Sequence, residues 1–338
     1  MRKKRILMLT TGGTVASAES KDGLSPQLRG EQLLGYCPGL SERADVTIEP
    51  VLSLDSSNMQ PEHWTLLAQR IAERRGEYDG VVITHGTDTM AYTSSALSFM
   101  LRGIRIPVVL TGSQTPIGEA GSDAPRNLIQ AFCTAMDERF AGVYVVFCGR
   151  IIRGCRASKV DTVSEDAFRS VNVPEAALFA GRRICVYHLD PLPEEEGPFR
   201  LGACPKVLLM KLIPGMDPHI LDYVAQMDIR AVVLECFGFG GVPIAMRSLI
   251  EKLHMLEERG ILSVGTTQCS GGYCNMSTYE VGRRALMEGV ICAGDMTYEA
   301  IVAKLMWLCS FETDVKRIQS LFLTNLCGEL SEEILSEE

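Results

Sequence analysis

Nowhere does the 338-residue chain approach the ~20 consecutive apolar residues of a membrane-spanning helix, so no membrane partner is expected. Dense positive charge is missing as well. Lys and Arg number 33 against 42 Asp and Glu, a net charge of -9. The one basic cluster, Arg2-Lys3-Lys4-Arg5, is too short and too terminal for a nucleic-acid groove. Ala16-Ser17-Ala18 imitates a leader cleavage site, but only Ile6 to Leu9 run apolar before Thr10-Thr11-Gly12-Gly13, against roughly 7–15 residues in a leader core. A cytoplasmic protein is expected. The 12 cysteines form no C-x-x-C pair and read mostly as small buried hydrophobes rather than disulfide partners. The 5 histidines never fall at metal-ligand spacing, so no metal is expected. Nor is there a G-x-G-x-x-G with a trailing acid, which argues against a dinucleotide cofactor.

At 46% hydrophobic and 22% charged residues, the composition is that of an ordinary globular protein, and the length exceeds what one core usually supports. Strand-length apolar runs at 5–10, 46–52, 80–85, 107–111, 142–148 and 183–188 alternate with stretches of helical period. That alternation predicts a mostly parallel, doubly wound α/β sheet. Pro61 to Arg75 is the clearest helix, with Trp64, Leu67, Ala68, Ile71 and Ala72 on one face and Gly76 past the end. Thr89 to Leu101 and Asp123 to Met136 read likewise. Asp190-Pro191-Leu192-Pro193-Glu194-Glu195-Glu196-Gly197-Pro198 lacks periodicity and reads as linker, giving domains 1–189 and 206–338 around a linker 190–205. Beyond it, strands at 207–212, 231–234 and 261–265 alternate with helical stretches near 217–226, 243–258, 280–289 and 297–310. These predict a second, smaller α/β domain.

Chemistry concentrates where strands end. Ile6-Leu7-Met8-Leu9 runs into Thr10-Thr11-Gly12-Gly13-Thr14, and Val81-Val82-Ile83 into Thr84-His85-Gly86-Thr87-Asp88-Thr89. In an open α/β sheet ligands bind outside the carboxyl ends of strands, so hydroxyls from two exits can converge on one small molecule. Gly-rich turns after strands are common in any doubly wound protein, so neither segment alone is decisive. Thr14 is the leading candidate nucleophile, because Gly12-Gly13 permits a sharp turn whose amides face a developing oxyanion. A threonine hydroxyl needs a base or relay, and Asp88 or a lysine is a candidate. Asp88 reads equally as a cap for the helix starting near Thr89. A third exit, Leu110-Thr111-Gly112-Ser113-Gln114, adds polar groups on the same edge. Lys159, in Ala157-Ser158-Lys159-Val160-Asp161, reads by itself as a solvated surface lysine.

Together Thr11-Gly12-Gly13-Thr14-Val15, His85-Gly86-Thr87-Asp88-Thr89-Met90 and Leu110-Thr111-Gly112-Ser113-Gln114 resemble the bacterial-type L-asparaginase family, most of all its cytoplasmic type I branch. Asp55-Ser56-Ser57-Asn58-Met59, the stretch Ala91 to Met100, and Gly294-Asp295-Met296-Thr297-Tyr298-Glu299-Ala300 extend the resemblance over nearly the whole chain. It implies a doubly wound N-terminal domain, a smaller flavodoxin-like C-terminal α/β domain, and a homodimer, or a dimer of dimers, in which partner residues help close the site. It also implies hydrolysis of L-asparagine to L-aspartate and ammonia without cofactor or metal. On this resemblance Thr14 is the nucleophile, Thr87 and Lys159 form a relay, and Asp88 holds the substrate α-ammonium. Ser56 and Ser57 bind its α-carboxylate, and Ser113 and Gln114 line the pocket.

The chain departs from the family pattern in two places. The loop tyrosine that many members carry is absent around Asp22-Gly23-Leu24. Tyr279, in Ser277-Thr278-Tyr279-Glu280, matches a tyrosine of type I members; either it supplies the hydroxyl from the C-terminal domain or it only packs at an interface. Type I members also share an effector site near Thr267-Gln268-Cys269, where acidic Glu235 stands in place of an expected arginine, so hyperbolic kinetics are expected. Two other functions fit the motifs less well. A non-catalytic amino-acid sensor would need Asp88 and Ser56 but no relay, and an asparaginase-like subunit of a tRNA-dependent amidotransferase would call for an extra domain and a basic surface for tRNA.

Overall fold

Burial on both faces selects the strands at the centre of the first sheet. Ile6 to Leu9 in β1 (Lys4–Gly12) and all of β3 (Gly80–Thr84) and β4 (Pro107–Thr111) are buried, as continuous apolar runs in a parallel sheet must be. The structure, a computed structural model, describes residues 2–20, 23–26 and 30–331, with 16–20 and 23–26 described by backbone alone. The loop position Asp22 lies outside the described residues, while Gly23 and Leu24 belong to a short antiparallel hairpin, Ser17–Ser20 with Gly23–Pro26.

The first compact unit comprises Met1–Leu201. Its remaining sheet strands are β2 (Ala44–Leu54), β5 (Gly142–Phe147), β6 (Arg150–Arg153), β7 (Ala177–Ala180) and β8 (Arg183–Val186), and the eight stand in the order β8-β7-β6-β5-β4-β3-β1-β2. β1 pairs in parallel with β2 on one side and β3 on the other, so the winding reverses beside β1. The crevice for a ligand belongs at that reversal. From β5 outward the pairing turns antiparallel through β6, β7 and β8. Periodicity shows β5 and β8 but neither β6 nor β7, which are four residues each and only partly buried.

Helix α1 (Pro61–Arg74) buries Trp64, Leu67, Ala68, Ile71 and Ala72, and a capping box between Gln60 and His63 closes its start. Helix α2 (Met90–Met100) is buried at every position except Tyr92, its four small hydroxyl residues Thr93, Ser94, Ser95 and Ser98 included. Helix α3 (Ala124–Ala135) places Leu128, Ala131 and Phe132 in a core with Met8, Val82, Val109 and Val146. Each such large side chain contributes about 1.5–3 kcal/mol through the water it leaves. The acidic, proline-rich stretch lies along this unit. Glu196 pairs with Arg75 at 2.7 Å, and the Arg75 guanidinium sits 5.1 Å from the Phe199 ring.

The second compact unit comprises Gly202–Glu338. Four parallel strands follow one another in chain order, β9 (Val207–Lys211), β10 (Ala231–Cys236), β11 (Leu262–Thr267) and β12 (Ile291–Cys292). Helices α4 (Ile250–Glu258), α5 (Glu280–Met287), α6 (Tyr298–Leu308) and α7 (Val315–Phe322) accompany them. Helical period over 217–226 and 243–258 overstates the helices, which cover only Ile220–Val224 and Ile250–Glu258. Pro243 lies in a turn whose carbonyl accepts from Leu249, so the longer helix starts late. Helix α7 is absent from the sequence reading altogether. Of the 12 cysteines, Cys37, Cys155, Cys236, Cys274, Cys292 and Cys309 are buried, half of them rather than most.

Candidate active site

Three strands of the first unit end level with one another. In the sheet register Thr10 stands beside Thr84, and Thr84 beside Thr111, so the exits after β1, β3 and β4 leave from one row of threonines. The row is locked below the site: Thr11 donates its hydroxyl to the Thr84 carbonyl at 2.9 Å, and the His85 amide donates to the Thr111 carbonyl at 2.8 Å.

Glycines then let the exits touch. Gly13 has φ 77, and a Cβ there would stand 2.5 Å from Gly86 Cα, which no side chain can occupy. A Cβ on Gly86 would in turn lie 2.6 Å from Ser56 Oγ. Backbone from the Thr14 turn, backbone from the Thr87 turn and the Ser56 side chain therefore meet at one point. The Gly13 amide is already spent, donating to the Leu54 carbonyl at 3.1 Å. Thr14 follows directly, half-buried at the start of a single 3₁₀ turn, Thr14–Ala16. Ser56 is buried, its carbonyl accepting from the Thr89 hydroxyl at 2.7 Å, whereas Ser57 is exposed with its amide held by Asp55 at 2.8 Å.

Lys159 reaches this point from a distant segment. Its Nζ donates to Thr87 Oγ1 at 2.8 Å and to Asp88 Oδ1 at 2.6 Å. The reading of Asp88 as a helix cap gives way to this ion pair, since Thr89 is the N-cap of α2 and its side chain makes no capping bond. Lys159 is not the solvated lysine its surroundings in sequence suggest; its side chain is 15% exposed. The reason lies in α2. Gly154 packs so closely on that helix that a Cβ would be 2.7 Å from Ser98 Oγ and 2.8 Å from the Ser94 carbonyl, and the Ser94 hydroxyl donates back to the Gly154 carbonyl at 2.8 Å. The chain then turns once through Gly154–Arg156 and enters Ala157–Lys159, which pairs with Phe168–Ser170. The helix that follows directly on the Thr87-Asp88 turn thus also positions the strand that ends on Lys159.

The Thr87 side chain is buried, and its hydroxyl donates to Gln114 Oε1 at 3.2 Å. The Thr87 amide makes no hydrogen bond among the described residues. His85 is fully buried beneath the turn, bonded to the Gly86 carbonyl at 2.7 Å and to Thr93 Oγ1 at 2.9 Å. Burial pushes its pKa down to about 4, so it is neutral near pH 7 and adds no cation to the site. A carbonyl only accepts, so the ring proton lies on Nδ1 and Nε2 accepts from Thr93.

Not every expected residue of the first unit faces the same space. Ser113 is fully buried and its hydroxyl donates to the Thr115 carbonyl at 2.7 Å, so it is not presented to a ligand. Tyr279 belongs to the second unit, at the N-cap of α5, 59% exposed beside Phe239. In that unit Gln268 donates to the carbonyls of Leu212 and Glu235 at 2.6 and 2.8 Å, and Glu235 pairs with Lys211 at 3.5 Å. Asp123 and Asn127 are what the sequence reading misses. Asp123 reads only as a helix start, yet its carboxylate accepts from the Gln114 and Thr115 amides at 3.1 Å. Among the described residues no cluster of His, Cys, Asp and Glu is gathered as metal ligands, and no helix is long and apolar enough to cross a membrane.

Comparison with known proteins places the chain in a family. Residues 5–191 match the family model "Asparaginase, N-terminal", and residues 206–322 match "Glutaminase/Asparaginase C-terminal domain". The chain is 43% identical over 330 residues to an L-asparaginase of Thermococcus kodakarensis, covering 97% of this chain and 99% of that one. It is 37% identical over 338 residues to L-asparaginase 1 of Escherichia coli, covering 98% and 99% respectively. A solved structure of the thermostable L-asparaginase from Thermococcus kodakarensis superposes with a TM-score of 0.90 at 42% identity, covering 97% of this chain and 99% of that one. A glutamyl-tRNA(Gln) amidotransferase subunit of Sulfurisphaera tokodaii is more distant, 34% identical over 342 residues, covering 97% of this chain and 76% of that protein. The chain belongs to the asparaginase family.

Proposed function

We propose that this protein hydrolyses L-asparagine to L-aspartate and ammonia through an acyl-enzyme on Thr14. The observation that carries the reading is the Lys159–Thr87 bond of 2.8 Å at a strand exit level with the one that delivers Thr14. Thr14 Oγ1 attacks the side-chain amide carbon and gives up its proton. The C–N bond breaks and the nitrogen leaves as ammonia carrying that proton. A water then attacks the ester, handing a proton back to the Thr14 oxygen as aspartate departs. The Thr87 amide, with no partner among the described residues, is the backbone donor for the oxyanion.

Thr87 and Lys159 relay the protons. Asp88 takes the substrate α-ammonium, and Ser56, with Ser57 beside it, takes the α-carboxylate; charges at both ends fix the length of substrate that fits. The resemblance extends the reading to Tyr279 as an assisting hydroxyl, to a homodimer or dimer of dimers as the working unit, and to the cytoplasm as its location. The reaction class is supported further by the family membership and by relatives named L-asparaginase at 37% and 43% identity. The test is ammonia release from L-asparagine, L-glutamine and their D-forms, beside the Thr14→Ala protein. L-Asparagine is expected to be the preferred substrate and Thr14→Ala to lose several kcal/mol of transition-state stabilisation. Full turnover by Thr14→Ala removes Thr14 from the role. Absence of ammonia from wild type, with aspartate raising its Tm, replaces the enzyme with a sensor.

A further inference from the structure

We propose that Thr89 is a positioning residue for substrate binding: its hydroxyl holds the turn that carries Ser56 and so sets where the substrate α-carboxylate docks. The inference rests on the hydrolase reading above, in which Ser56 takes that carboxylate and Asp88 the α-ammonium. It starts from the Ser56 carbonyl, which accepts twice, from the Thr89 hydroxyl at 2.7 Å and from the Met59 amide at 3.0 Å. The next amide along the chain, that of Ser57, donates to Asp55 Oδ1 at 2.8 Å. This carbonyl and this amide belong to one planar peptide unit, so partners at both ends fix its orientation. The Met59 and Asp55 bonds lie within the turn 55–59 itself. Among the described residues the Thr89 bond is the one hydrogen bond that ties this turn to another strand exit.

A second, independent observation is where the Thr89 side chain does not turn. Thr89 is the N-cap of α2, a position at which a threonine oxygen accepts from an amide of its own helix and adds about 1 kcal/mol of stability. It makes no such bond. The side chain faces Ser56 instead, 33 residues away along the chain. A cap forgone for a distant carbonyl points to a demand other than that of the helix.

The third observation is the state of Ser56. The residue is 3% exposed, yet its hydroxyl makes no hydrogen bond among the described residues. It is seated against the Thr87 turn, where a Cβ on Gly86 would stand 2.6 Å from Ser56 Oγ and 2.7 Å from Ser56 Cβ. A nearly enclosed hydroxyl without a protein partner is a donor left for a ligand. Three consecutive residues then divide the work. Thr87 serves the reacting amide, Asp88 takes the α-ammonium, and Thr89 places the α-carboxylate through Ser56. The two charged groups of the substrate leave a single carbon, so their receptors must keep one spacing, and Thr89 is the tie between them.

The experiment compares wild type, Thr89→Val, Thr89→Ser, Ser56→Ala and the Thr89→Val/Ser56→Ala double variant as full-length chains. The readouts are kcat and KM for ammonia release from L-asparagine, the calorimetric Kd for L-aspartate, and thermal unfolding. Valine keeps the shape of threonine without the hydroxyl, and the Ser56 carbonyl still holds the Met59 amide, so the substitution strands no polar group there. Thr89→Val is expected to raise KM and Kd about tenfold, the effect of losing one hydrogen bond of ordinary strength, with kcat within about threefold and Tm within about 4 °C of wild type. A rise in KM with kcat kept marks lost binding and not lost chemistry. Thr89→Ser restores the hydroxyl and is expected to restore both constants. In the double variant Thr89→Val is expected to add less than about twofold to the effect of Ser56→Ala, because Thr89 acts through Ser56. Unchanged KM and Kd in Thr89→Val, a loss confined to kcat, a larger fall in Tm, failure of serine to restore binding, or full additivity in the double variant overturns the assignment while leaving the hydrolase reading intact. If wild type releases no ammonia, the hydrolase reading fails and the Kd for L-aspartate still decides the role of Thr89. A rise of about tenfold in Thr89→Val upholds it, and an unchanged value, or a wild type that binds no L-aspartate, overturns it.

Discussion

Replacing Lys159 with methionine removes an ammonium and keeps most of the stem that packs around it. Two bonds go, those to Thr87 Oγ1 at 2.8 Å and to Asp88 Oδ1 at 2.6 Å. Their weight for folding is small. Asp88 is 58% exposed, so water screens the ion pair and leaves it about 0–1 kcal/mol of stability. For a domain this size that is a Tm shift of roughly 2–4 °C. In the proposed relay their weight for the reaction is large, because a positioned proton-transfer group contributes about 10²–10⁴-fold, or roughly 3–5 kcal/mol of barrier. The two figures differ enough to be told apart in one pair of measurements. In ammonia release at saturating L-asparagine, Lys159→Met should lose at least about two orders of magnitude in kcat. Thermal unfolding should move by only a few degrees. Losing Lys159 also frees Asp88, so KM for the α-ammonium substrate should not rise in step with the fall in kcat. A kcat within about threefold of wild type would sink the relay, since that is under 1 kcal/mol of barrier.

Three further outcomes are expected. His85 is held near pKa 4 by burial against an ordinary 6.5, so between those values the unfolded chain binds a proton that the folded one refuses. Stability therefore falls as pH drops through that window, by about 2 kcal/mol at pH 5 relative to pH 7, and denaturant unfolding of His85→Asn should lose that share of the slope. The Lys304 ammonium and the Glu329 carboxylate, both fully buried and 2.5 Å apart, tie the last described turn to α6. Lys304→Met leaves the buried Glu329 charge with only the Leu326 and Cys327 amides and no counter-ion, and should cost about 3–5 kcal/mol, much of it recovered by adding Glu329→Gln; a Tm within about 2 °C of wild type in the single variant, about 1 kcal/mol or less, refutes this. With Glu235 paired to Lys211 and no arginine in its place, velocity against L-asparagine should be hyperbolic, and a sigmoidal curve would show that effector binding survives.

How much of this could be read from the chain depends on distance along it. The exits after β1, β3 and β4 are legible because burial on both faces forces continuous apolar runs, and the first polar residues after each run must sit at the sheet edge. The antiparallel strands β6 and β7 give no such signal, being four residues long with arginines at both ends of β6. Asp88 shows the limit most clearly. Local preference makes it a cap, and only a lysine 71 residues away makes it a pair. Lys159 in turn owes its place to Gly154 pressed against α2, a contact that no spacing rule anticipates, which is why the resemblance to a family singles it out and the residues around it do not. Asp123 is the same case without a family motif to rescue it. An aspartate ahead of a helix is expected to cap that helix, yet this one spends its oxygens on amides eight and nine residues earlier, where they hold the exit that carries Gln114. The hydroxyls of the site are thus written as strand ends, whereas the groups that orient them come from elements whose contacts form only when the sheet closes. A substitution scan guided by motif alone would probe the first set and pass over the second, so Asp123→Asn is the sharper test of whether the frame, and not only the threonines, sets the rate.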